Sequence, residues 1–82
     1  MENKLYVGNL SDDITEADLE EFFSIYGTVV SVRLKKDSVT GEPWGYGFVE
    51  MIDLSAAEAA LKNANGHRLG EHKLRIDAMR SE

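Results

Sequence analysis

Apolar residues recur along this chain in two rhythms. Some stretches alternate apolar and polar residues with period two, and two longer ones space them at three and four residues. "KLYVGNL" (4–10) sets Leu5 and Val7 in one phase and Lys4 and Tyr6 in the other, which predicts a strand. In "SDDITEADLEEFFSIYG", Leu19, Phe22, Phe23 and Tyr26 fall at i, i+3, i+4 and i+7, the stripe of a helix with one apolar side. Thr15 and Asp18 make a capping-box pair near its start, acidic residues crowd its first turns, where the helix dipole favours them, and Gly27 is a natural stop. "TVVSVRLKK" (28–36) is β-branched, with Val30, Val32 and Leu34 in one phase against Val29, Ser31, Arg33 and Lys35. "DSVTGEP" has the composition of a turn and joins that strand to "GYGFVEM" (45–51) as a hairpin. "SAAEAALKNANG" (55–66) predicts a second helix, with Ser55 and Glu58 as a capping box, a stripe of Ala57, Ala60, Leu61 and Ala64, and Gly66 at its end. "HKLRIDA" (72–78) reads as a last strand with Leu74 and Ile76 in phase.

The order β-α-β-β-α-β lets both helices lie on one face of a four-stranded antiparallel sheet. This is an α+β, ferredoxin-like architecture, expected to fill residues 1–82 as one domain. The helices need one apolar sheet face, and Leu5, Val7, Val32, Leu34, Val49, Met51, Leu74 and Ile76 supply it. Turning Tyr46 and Phe48 inward would also bury Glu50 without an evident partner, at a cost of roughly several kcal/mol. Gly47 is therefore expected inside, allowing a helix to approach the backbone, and the rings of Tyr6, Tyr46 and Phe48 face water. Exposed aromatics on adjacent strands of a small domain call for a partner.

Charge changes the picture once it is sorted by face. The chain of 82 residues carries a net charge of −6, which argues at first sight against a polyanion. Yet Lys4, Arg33, Lys35, Lys73 and Arg75 share the outward phase of the strands, against Glu50 and Asp77. Asp12, Asp13, Glu16, Asp18, Glu20 and Glu21 lie in or just before the first helix, with no base among them. The local field at the sheet, rather than the total, decides what binds there. A base stacked on an aromatic ring gains about 1–3 kcal/mol, so nucleic acid suits this platform.

At these residues the sequence resembles the RNA recognition motif family, over nearly its whole length. "LYVGNL" (5–10) is similar to the family's second ribonucleoprotein motif, with Tyr6 as its aromatic. "WGYGFVEM" (44–51) resembles the first motif, K/R-G-F/Y-G/A-F-V-x-F/Y, matching it at Gly45, Tyr46, Gly47, Phe48 and Val49 and departing from it at Trp44 and Met51. Phe23, Tyr26-Gly27, Asn65-Gly66 and "LGEHKLRI" add further likeness. The resemblance implies that Tyr6 and Phe48 each stack under a base and that Tyr46 packs against riboses. It also implies that Asn9 stabilises the turn after the first strand, and that residues 77 to 80, Arg80 among them, touch RNA. Arg33, Lys35, Lys73 and Arg75, with Lys4, are its phosphate or base-edge contacts. The compact form resembles small single-motif RNA-binding proteins.

Other chemistry finds little support. No cysteine is present, so no disulfide or thiolate metal site is expected, in keeping with a reducing compartment. His67 and His72 lack ligand companions, and Gly45-x-Gly47 lies inside a strand without the third glycine of a dinucleotide fingerprint. "GNLSDD" places acids where a phosphate-cradling hydrolase of this topology would need a cation. The expectation is a monomeric, non-enzymatic binder of single-stranded RNA without a cofactor, cytoplasmic (nuclear in a eukaryote), with affinity on the order of micromolar. Single-stranded DNA stays open as a ligand. No stretch has the length of a membrane span and none resembles a signal peptide. The alternative is a protein-binding module that uses the acidic first helix and Trp44.

Overall fold

The structure, a computed structural model, describes residues 3–79. In chain order the elements are β1 (Lys4–Gly8), α1 (Glu16–Phe23), a 3-10 turn (Ser24–Tyr26), β2 (Val29–Lys36), β3 (Pro43–Met51), α2 (Leu54–Ala64), β4 (Arg68–Leu69), β5 (His72–Lys73) and β6 (Arg75–Ala78). Strands β2, β3, β1 and β6 form, in that order, a four-stranded antiparallel sheet, and β4 with β5 forms a separate two-stranded hairpin. Among the described residues, no helix is long and apolar enough to cross a membrane.

Strands β1 and β3 alternate with period two as their sequences predict. Leu5, Val7, Val49 and Met51 are fully buried, while Tyr6 and Phe48 pair directly across the two strands on the other face. Helix α1 lays Leu19 and Phe23 on the buried face, and each such side chain contributes roughly 1.5–3 kcal/mol by leaving water. Helix α2 offers Ala57, Ala60 and Ala64, all without exposure, so small side chains bring its backbone close to the sheet. Gly27 makes the same closeness possible at the end of the 3-10 turn. Its φ is 149°, and a β-carbon there would stand 2.5 Å from that of Ala56.

Four expectations need correction. Val30 is exposed and Val29 packs against the core, because the ladder between β2 and β3 shifts register between Val29 and Ser31. A bulge of this kind places two residues opposite one and exchanges the phase on either side of it. The cap of α2 is Asp53, whose carboxylate accepts from the Ala56 N–H at 2.8 Å, so Ser55 lies inside the helix. Gly47 makes room for β2 rather than for a helix: a β-carbon would lie 2.5 Å from the Arg33 carbonyl oxygen. Finally, 72–78 is not one strand. Gly70, at φ 67°, opens a two-residue loop with Glu71, so His72 and Lys73 fold back on Arg68 and Leu69, and the sheet strand resumes at Arg75 after buried Leu74.

Candidate nucleic-acid interface

The pairing register sets the outward residues in rows across the sheet. One row runs Arg33, Phe48, Tyr6 and Asp77, and the next runs Ser31, Glu50 and Lys4. Both helices pack on the opposite face, so among the described residues nothing covers these rows. Tyr6, Tyr46 and Phe48 are half-buried at their bases. Their ring centroids lie 5.7 Å (Tyr6–Tyr46), 5.9 Å (Tyr46–Phe48) and 6.2 Å (Tyr6–Phe48) apart. These separations fall in the range of favourable aromatic pairs, so the three rings support one another as a cluster.

Gly8, absent from the residues expected at the site, sets the attitude of Tyr6. A β-carbon at Gly8 would fall 2.6 Å from the Tyr6 hydroxyl and 2.9 Å from its ring, so the ring lies back over the bare backbone. The signal was present in the sequence: a glycine two residues after an outward aromatic shares its face. Asn9 does stabilise the turn, adopting φ 60° and donating from Nδ2 to the Lys73 carbonyl at 2.7 Å.

The basic residues are less evenly placed than the strand phases suggested. Lys4, Arg33 and Lys35 line a hollow of about 320 Å³ beside Phe48, together with Ser31 and Glu50. Lys35 holds its Nζ 5.8 Å from the centroid of the Phe48 ring, a cation–π approach. Arg75 is on β6, opposite Gly8, and forms an exposed ion pair with Asp77 at 4.0 Å. Lys73 is on the small hairpin, not on the four-stranded sheet, and Arg80 lies outside the described residues. Glu50 accepts from the Ser31 hydroxyl at 3.4 Å. Among the described residues, no group of three or more His, Asp or Glu could hold a metal ion.

Trp44 stands on the aromatic side, its ring centroid 6.4 Å from that of Tyr46. The acids of α1 are elsewhere and partly occupied: Asp18 closes the capping box with Thr15, Asp13 accepts from Ser11, and Glu16 accepts from the Leu34 N–H at 2.9 Å.

A four-stranded sheet with an open aromatic face is now matched by the comparison with known sequences, since the profile of the RNA recognition motif fits residues 5–75. The chain belongs to the RNA recognition motif family. It is 44% identical over 78 residues to the tau variant of cleavage stimulation factor subunit 2 from Homo sapiens, covering 95% of this chain but 13% of that protein. The chain thus spans about an eighth of the length of that relative. Of solved structures, RNA binding protein PG1 superposes with a TM-score of 0.88 at 36% identity, covering 96% of this chain and 98% of that one. The RNA recognition motif of Rna15 with bound RNA (GU) superposes at 0.87 and 30% identity, covering 99% and 86%. Within the motif, the departure at Met51 is a core exchange, since that side chain is fully buried. The departure at Trp44 falls on the open face.

Proposed function

We propose that this chain binds single-stranded RNA on the open sheet face without catalysing a reaction. The observation that carries the reading is the aromatic trio: three rings on adjacent strands, mutually braced, half-exposed and flanked by cations. Tyr6 and Phe48 stack under bases and Tyr46 packs against riboses. Each stacked base adds about 1–3 kcal/mol, and most of that gain tolerates any base because every base has a π face. Arg33, Lys35 and Lys4 contact phosphates around the hollow, and Arg75, Lys73 and Arg80 add further contacts. These contacts fix register and add a salt-dependent term. The family likeness supports the reading, as does the superposition on the Rna15 motif with its bound RNA (GU).

The rival reading, a protein-binding surface made of the α1 acids and Trp44, is weakened by the placement of its parts. Trp44 stands with the sheet-face rings, while Glu16 and Asp18 are engaged by backbone groups and neighbours. Titrating the labelled chain with a random-sequence single-stranded RNA, followed by NMR, separates the two. Shifts at Tyr6, Phe48, Arg33 and Glu50 are expected. Shifts confined to residues 16–23 would overturn the RNA reading. A matched DNA titration measures what the 2′-hydroxyls contribute.

A further inference from the structure

We propose that Trp44 is a fourth stacking surface, lengthening the RNA footprint by one base beyond Tyr46. This rests on the RNA-binding reading of the same face and adds to it a contact that the family's sequence pattern does not contain, since a basic residue normally occupies this place.

Three observations carry it. Trp44 is 59% exposed, so its ring is neither part of the core nor folded down as a cover for the preceding loop. Its centroid lies 6.4 Å from Tyr46 with the planes 37° apart, which continues the line of rings from Tyr6 and Phe48 toward the loop end of β3. The backbone beneath it is fixed. The ladder shifts between the pairs Leu34–Gly47 and Lys36–Pro43, which leaves extra residues on β3. Within that bulge Gly45 takes φ 84°, and its carbonyl accepts the Leu10 N–H at 2.9 Å. The loop leading to Trp44 is closed by Asp37, whose N–H donates to the Glu42 carbonyl at 2.8 Å and whose carboxylate accepts the Val39 and Thr40 N–H groups.

A bulge re-aims the side chains at its rim, and here it presents a large flat surface at the margin of the platform. A cation at this position would hold a phosphate but could not stack as an indole does; an indole exchanges salt-sensitive attraction for contact with a base face. The nucleotide it receives is the one adjacent to the sugar packed on Tyr46. Because stacking is sequence-tolerant, the added contact lengthens the footprint without narrowing the choice of base.

Trp44 is the only tryptophan in the chain, so its fluorescence reports on its own surroundings. The full chain is titrated with random-sequence single-stranded RNA oligomers that lengthen one nucleotide at a time, reading tryptophan emission and affinity together. Emission should be quenched from one threshold length onward, and affinity should rise at that same length by roughly 5- to 150-fold. Trp44→Ala should remove the step while leaving shorter oligomers bound as before, and Trp44→Phe should keep most of it. Unquenched emission at saturation, or Trp44→Ala binding every length like the parent, overturns the proposal while the reading of Tyr6 and Phe48 survives. Failure to bind any oligomer overturns both. Melting curves of the variants confirm that each is folded, as the exposure of the ring leads one to expect.

Discussion

The two faces of this domain use their polar side chains differently. On the helix side and at the sheet edges, they are tied to the backbone. Asp18 and Thr15 cap α1 reciprocally, Asp53 caps α2, Glu16 takes the Leu34 N–H, and Asn65 takes the Ile76 N–H at 3.0 Å. On the open face, Lys4, Arg33 and Lys35 make no side-chain hydrogen bond or ion pair among the described residues, and the Arg75–Asp77 pair is loose and exposed. An exposed pair of this kind contributes about 0–1 kcal/mol. On the helix side these groups serve the fold, whereas on the open face Ser31 and Glu50 share a hydrogen bond and Lys4, Arg33 and Lys35 keep their donors. On the proposed reading, fold and recognition draw on separate residues, and mutation should separate them.

The sharpest way to break the comparison is to strip the open face. Tyr6→Ala with Phe48→Ala should weaken binding of short RNA by on the order of 2–6 kcal/mol, measured by fluorescence anisotropy, while circular dichroism and melting stay close to the parent. Binding that persists in the double variant would refute stacking. The converse change is Phe23→Ala, which should cost about 3–5 kcal/mol of stability by urea unfolding. The fraction of that variant still folded should bind RNA with the parent's affinity; a proportionate loss of binding would mean that the faces are coupled.

A smaller effect sharpens the reading of α2. Asp53→Ala should lower stability by about 1 kcal/mol, whereas Ser55→Ala should change it by less than about 0.5 kcal/mol. The opposite order in thermal melts would restore Ser55 as the cap.

The smallest effect concerns pH. Hydrogen bonds from the Thr40 N–H, the Thr40 hydroxyl and the Val39 N–H hold the Asp37 carboxyl below its ordinary value of 3.8. Since the folded value is the lower one, this stabilisation of the loop is complete above about pH 3.8 and fades as pH falls through the folded value. The Thr40 amide resonance should be flat through neutral pH and move only below that point; movement near pH 6 would contradict the assignment.

The sequence made the sheet faces legible because β1 and β3 alternate strictly, and Glu50 would have been stranded by the opposite choice. It also made the α1 cap legible, since Thr15 and Asp18 stand at the required spacing with no competitor. Where two solutions share one pattern, only the folded geometry decides between them. Asp53 and Ser55 are both cap formers two residues apart, and only the geometry of the Ala56 N–H selects between them. Val29 and Val30 are equally β-branched, so nothing in their chemistry marks the bulge that turns one inward and the other out. The stretch 72–78 has an unbroken strand composition, but the Gly70 turn offers His72 and Lys73 a nearer partner than the sheet. In the interface the rings were readable from phase, whereas the support of Tyr6 by Gly8 and the hollow at Glu50 depend on packing between strands.

The hydrogen bonds of Glu16 and Asn65 have one more consequence. Strands β2 and β6 are the borders of the sheet, and the carboxylate and the carboxamide occupy backbone donors there. An incoming extended peptide would have to displace them before it could zip alongside as a fifth strand. The molecule can thus leave an entire surface bare of its own chain while discouraging copies of itself from adding on at the margins.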